Sequence, residues 1–236
     1  MWLVLFSLLP AFGHAANAAV NDCVVLLHGL ARISNSMGEL ERKLERSGFE
    51  VVNIKYPSRQ HAVTVLAADA VGRGVAQCRE KRSGRIHFVT HSLGGILLRV
   101  YVQEQSLDEL GRVVMLGPPN QGSELVDALT GVPGFGFFGP AGKQLGTGEE
   151  SILHSLGAVD FELGVIAGCV NINPLALFVI DGPNDSIVSV ASTRVAGMAA
   201  HITLPVMHSV MMRDNEVIEH SIHFLQTGEF LGELTD

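Results

Sequence analysis

The chain has 236 residues, 47% of them apolar and 17% charged, and a net charge of −8. That length and composition suit a protein with a substantial buried core and exclude a disordered chain. No Lys/Arg-rich block stands out against the acidic balance, which argues against a nucleic-acid partner.

The first stretch, MWLVLFSLLPAFGHAANAAV, contains no charged side chain. Its apolar portion, about Met1 to Phe12, is too short to cross a bilayer. Ala-x-Ala at Ala16-Asn17-Ala18 follows, so residues 1–19 are expected to be a secretory signal and the protein to be periplasmic or secreted. The n-region has no Lys or Arg, which leaves an uncleaved membrane anchor as the other reading. Residues 20–236 are expected to form a single domain.

Cys23-Val24-Val25-Leu26-Leu27 opens a continuous apolar run, as for a strand buried on both faces. Met37, Leu40 and Leu44 recur at helical spacing, with Glu39 and Lys43 as a supporting i,i+4 pair and Gly48 as the stop. A strand is expected at Glu50 to Lys55. A helix from about Ala62 to Cys78 follows, with Gly72 and Gly74 marking a bend. Further strands are expected at Arg85 to Thr90, Arg112 to Leu116, Gly164 to Ala167, Leu175 to Ile180 and His201 to Val206. Helices are expected at Leu93 to Gln105 and from Asp214, as cap, to Gln226, ending at Gly228. Strands alternating with helices at this spacing predict an α/β fold, a mostly parallel sheet with helices on both faces. The exception is GVPGFGFFGPAGKQLGTG, residues 131–148, with seven glycines and Phe135, Phe137 and Phe138. It reads either as a lid or acyl-binding wall, or as a loop whose phenylalanines plug the core.

Cys23 and Cys78 both fall at the N-terminal edge of such a sheet. An exported protein can join them and leave Cys169 free; the other reading is three buried thiols. No Cys/His spacing points to a metal site.

The chemistry gathers at FVTHSLGGILLRV, Phe88 to Val100. Ser92 stands between a strand and a helix, where a nucleophile is exposed on a strained turn and small residues let the helix pass the strand. Gly94 and Gly95 meet that need; Thr90 stands where the first Gly of G-x-S-x-G is usual. A serine hydroxyl needs a base, an orienter for the base and oxyanion donors. The Leu93 N–H, at the helix start, is one donor candidate. Leu30, after Gly29 in VVLLHGL, is the other, with Gly29 giving the chain room to turn. DGPNDSIV offers Asp185 as the orienter, with Asp181 in reserve. HITLPVMH offers His208 as the base. His220 and His223 lie within the last helix, and His201 lies at the wrong end of its strand. His91 is expected to support the elbow rather than carry protons. The order Ser, Asp, His is that of α/β-hydrolases.

These segments together resemble the bacterial lipase/esterase branch of the α/β-hydrolase superfamily over most of the chain. VVLLHGLARISNSM resembles its oxyanion segment, THSLGGILLR an elbow variant with Thr for the first Gly, and GPPNQGSELVD its pocket-lining segment. GPNDSIVSVAST and LPVMHSVMMRDNEVIEHSIHFLQTGEF resemble its acid and histidine segments, with Ser186 where Gly is common after the acid. The resemblance implies cleavage of carboxylic esters, lipid-derived ones among them, without a cofactor, and brief contact with a membrane or lipid surface. Acyl transfer to an alcohol, thioester cleavage and a silent binding protein on the same fold are the competing readings.

Overall fold

Strand β1 (Cys23–Leu27) is apolar at every position because the sheet is covered on both faces. The computed structural model describes residues 21–232; the expected signal segment lies outside the described residues. Val25 and Leu27 point into one core layer, with α2 (Val63–Leu66), a π-helical turn at Ala67–Val71, α3 (Gly72–Glu80) and α4 (Leu93–Glu104). Val24 and Leu26 point into the other, against α1 (Gly38–Arg46) and α8 (Asn215–Thr227).

The six described strands run parallel in the order β2-β1-β3-β4-β5-β6. They are β2 (Glu50–Ile54), β3 (Ile86–His91), β4 (Leu110–Leu116), β5 (Leu163–Gly168) and β6 (Ala200–Leu204), besides β1. From β1 the chain first steps to β2 on one side, then returns to β3 on the other. The strand ends of β1 and β3 therefore flank the crevice where the order reverses, the usual ligand position in an open α/β sheet.

Several expectations change. Leu175 to Ile180 is not a strand: after α5 (Glu124–Leu129) and α6 (Gly139–Lys143), Ala176–Val179 is a short helix, α7. A short apolar run does not distinguish helix from strand, and here only Ala176 and Ile180, four residues apart, are buried while Leu177 and Phe178 stay exposed. Asn173 Oδ1 accepts the Leu175 N–H and starts the turn. The place beside β5 goes to β6. Gly74 is a packing contact rather than a bend, since a Cβ there would meet Val25 Cγ1 at 2.5 Å; the helix irregularity is the π-helical turn before Gly72. Glu39 pairs with Arg42, not Lys43, whose ammonium donates to Asn215 Oδ1 instead.

Cys23 and Cys78 form a disulfide between β1 and α3, and Cys169 is an exposed free thiol, which sets aside the reading of three buried thiols. The last helix is capped as expected, Asp214 accepting from Glu216 and Val217 N–H and Gly228 adopting φ +89°. Among the described residues no helix is long and apolar enough to cross a membrane.

Candidate active site

Ser92 ends the apolar run of β3 and precedes the first residue of α4, with φ +52° and ψ −120°. A serine pays strain in that region, and surroundings must enforce it. Here Ser92 N–H is held by Leu116 O at 2.9 Å, and α4 is drawn in close behind it. A Cβ at Gly94 would lie 2.5 Å from Leu27 O of β1. One at Gly95 would lie 3.2 Å from Thr90 Oγ1 and 3.0 Å from Met115 Sδ. The second glycine thus makes room for Thr90, which stands beside Leu27 and Met115 in the sheet. Thr90 is tolerated because Gly95 faces it.

Asp185 and His208 come from the two excursions at the far side. Asp185 is fully buried in the β5–β6 connection. Its Oδ1 accepts from Ile187 N–H at 3.1 Å and Val188 N–H at 2.8 Å; its Oδ2 accepts from His208 Nδ1 at 2.7 Å. The backbone repeats the link, His208 N–H donating to Asp185 O at 3.0 Å. With Nδ1–H committed to the carboxylate, Nε2 is the ring nitrogen left to act as a base. Ser92 and His208 line the same cleft of about 260 Å³. Asp181 is exposed on the turn before this loop, away from that pairing. Ser186 takes φ +87°, a glycine-like conformation, and its Oγ accepts from Ile172 N–H at 2.9 Å. The hydroxyl thus ties the acid turn to the stretch that follows β5, a link that glycine cannot make.

His91 donates from Nε2 to His208 O at 2.9 Å, its ring 4.7 Å from that of His208. Complete burial, and then the neighbouring His208, holds its pKa well below the ordinary histidine value. It is a neutral brace for the histidine segment. His220 is buried in α8 against Phe230, and His201 bonds Thr193; neither lies at the cleft.

Leu30 and Leu93 follow β1 and β3. Neither N–H is taken by an acceptor among the described residues. Gly29 serves a different purpose from the one expected: a Cβ there would meet His91 Nδ1 at 2.7 Å and Ser92 Cβ at 3.2 Å. The residue that turns the chain is Ala31, at φ +55°. Its N–H donates to Ser58 Oγ at 3.1 Å. Tyr56, stacked on His28 at 4.0 Å, donates its hydroxyl to His28 O. Burial lowers the pKa of His28 and raises that of Tyr56, so both stay neutral. Tyr56 and Ser58 therefore hold the segment that carries Leu30. The local sequence carries no signal for this pair. Gly117, after β4, was also missed. At φ +52°, a Cβ would fall 3.0 Å from both Asp185 Oδ2 and His208 Nδ1.

The remaining wall is apolar: Val126, Leu145, Ile187, Val188 and Phe138 line the cleft. The phenylalanines of the Gly/Phe loop take three different places. Phe135 is buried and Phe138 lines the cleft, while Phe137 is exposed and lies under Arg59.

The sequence of residues 23–149, more than half of the chain, matches the family described as palmitoyl protein thioesterase. No curated protein matches significantly. Among solved structures, mature lipase BlEst2 from Bacillus licheniformis is similar at 18% identity and a TM-score of 0.73, over 90% of this chain and 94% of that one. Phospholipase PlaB from Legionella pneumophila is similar at 21% identity and a TM-score of 0.59, over 75% of this chain and 45% of that one. A monoacylglycerol lipase from Paleococcus ferrophilus is similar at 15% identity and a TM-score of 0.57, over 88% of this chain and 95% of that one. The fold is that of the α/β-hydrolases.

Proposed function

The chain belongs to the palmitoyl protein thioesterase family, and on that footing we propose that it is a serine hydrolase that cleaves carboxylic esters through an acyl-enzyme, with Ser92, His208 and Asp185 as its triad. The observation that carries the reading is the buried Asp185–His208 pair, whose histidine lines one cleft with a serine on a strained strand-to-helix turn. In the first step Ser92 Oγ passes its proton to His208 Nε2 and attacks the acyl carbon. The negative charge that develops on the carbonyl oxygen is met by the Leu30 and Leu93 N–H groups. His208 then gives the proton to the departing oxygen, which leaves as the alcohol. Water enters, loses a proton to the same nitrogen, and displaces the acid from Ser92. Asp185 keeps the ring in the tautomer that makes this possible and stabilises the imidazolium.

A thioester is the second reading, and the matched family favours it. The same steps serve, with a thiol as leaving group. The apolar wall of Val126, Phe138, Leu145, Ile187 and Val188 suits a hydrocarbon acyl chain in either case. The Cys23–Cys78 disulfide supports an exported protein, since such bonds persist in oxidising compartments. The test is an acyl chain-length series of matched oxyesters and thioesters with wild type and Ser92→Ala. Cleavage by wild type that Ser92→Ala loses supports the reading; equal rates for the two proteins refute it.

A further inference from the structure

We propose that the cleft beside the serine is a binding site for a phosphate group, and that the preferred acyl donors carry a phosphate on the alcohol or thiol they release. The second half of this rests on the hydrolase reading above. A second cleft, of about 520 Å³, adjoins the serine cleft and shares Ala31 and Arg32 with it. Arg32, Lys55 and Arg59 line it, and no described Asp or Glu does. None of the three is in an ion pair with a described residue, although the chain is acidic overall. Among the other described cations only Arg42, Arg73, Arg79, Lys81 and Arg112 have a carboxylate partner, so what sets Arg32, Lys55 and Arg59 apart is that they share one cleft. Three cations on one concave surface repel one another, and a multiply charged anion relieves that repulsion.

Arg59 is also held for the purpose. Its guanidinium lies 4.0 Å over the Phe137 ring, a stacking that leaves the N–H donors in its plane free for oxygen acceptors. The neutral donors Ser58 and Gln60 border the same space. The serine cleft offers a cation only at its shared edge, Arg32. Its far wall, with Val126, Phe138, Leu145, Ile187 and Val188, is apolar, and an anion there would lose its hydration without gaining partners. The acyl chain therefore belongs along the Phe138 wall. The leaving group belongs past Ala31, toward Arg32, Lys55 and Arg59.

The phosphate can come from a lipid headgroup or from a soluble thiol such as coenzyme A, and paired substrates separate these. One pair is 1-octanoylglycerol 3-phosphate and 1-octanoylglycerol; the other is octanoyl-coenzyme A and the octanoyl thioester of N-acetylcysteamine. For wild type we expect the phosphate-bearing member of one pair to be preferred by at least about tenfold in kcat/KM, with the preference shrinking as ionic strength rises. The pair that shows it identifies the source. In Lys55→Gln/Arg59→Gln the ratio should fall toward one. A ratio near one in wild type for both pairs, or a ratio untouched by the double substitution, overturns the proposal. Binding is measured separately on Ser92→Ala by titration with sn-glycerol 3-phosphate and with coenzyme A. Affinity for one of them should drop about tenfold or more when Lys55 and Arg59 are also replaced. Equal affinity in the two proteins overturns the anion site. If wild type cleaves no member of either pair, the hydrolase reading falls, while this titration still decides whether phosphate binds.

Discussion

The two sides of the cleft are built by different means. On one side Leu30, Ser92 and Leu93 follow directly from the ends of β1 and β3, and the glycines around them are there because sheet, elbow and α4 touch. On the other side Val126, Phe138, Leu145, Ile187 and Val188 come from long connections between strands. Those connections are pinned at separate points: Thr147 N–H and hydroxyl on Asp127, Val63 N–H on Gln144 Oε1, and Ser123 Oγ on Ile187 O. Between the pins the chain is open, and a Cβ at Gly131, Gly134 or Gly136 would meet nothing within 4 Å. On the proposed reading, chemistry is placed where the backbone has no freedom, and substrate shape is left to segments that tolerate change.

Substitutions on the rigid side should therefore be severe and those on the open side graded. The largest effect is expected at the base: His208→Ala should lower kcat by about 10⁴-fold or more, and Asp185→Asn by about 10²- to 10⁴-fold, in steady-state assays on a short-chain ester. Loss of the disulfide should act on the sheet without reaching the site. The bond closes a loop of 55 residues between β1 and α3, so Cys23→Ser/Cys78→Ser should lose on the order of 4 kcal/mol of stability in denaturant unfolding. Its kcat per folded molecule should stay at the wild-type value, because both cysteines lie at the opposite end of the strands from Ser92. Gly117→Ala should lower kcat by roughly 10- to 100-fold with a modest change in KM, since the new methyl group would press on Asp185 Oδ2 and His208 Nδ1.

Acid should weaken the sheet side through its buried histidines. Burial lowers the pKa of His28, His87, His91 and His201, the last to about 4, from an ordinary value of 6.5. The unfolded chain takes up protons at these positions below pH 6.5 and the folded protein does not. Their contribution to stability is therefore whole above pH 6.5 and is lost as the pH falls towards 4. Melting temperature across that window measures it, and a flat profile would contradict it. The smallest effect is expected on the open side: Phe138→Ala should change KM for longer acyl chains by a few-fold, about 1 kcal/mol at most, and leave kcat for short esters near wild type.

What was legible in the sequence follows the same division. The apolar run into Thr90-His91-Ser92, the glycines after it and the Asp and His segments in order were readable because strands and their ends are written in residue types. Thr90 looked like a departure from the motif, and Gly95 is the residue that explains it. Leu175 to Ile180 was misread because an apolar run of six carries no period that separates a strand from a helix buried on one side. The contributions of Tyr56, Ser58 and Gly117 depend on contacts between distant segments, which no local pattern encodes. The same holds for Ala31, where a left-handed turn is held by a hydroxyl 27 residues away rather than by a glycine.

The central claim is that Ser92 is the nucleophile and that His208 activates it. The direct measurement is labelling of the folded protein with a fluorophosphonate, followed by peptide mapping. The account predicts a single adduct on Ser92, formed by wild type, lost in Ser92→Ala and slowed by orders of magnitude in His208→Ala. Labelling of another residue, or equal labelling of Ser92 with and without His208, would contradict it.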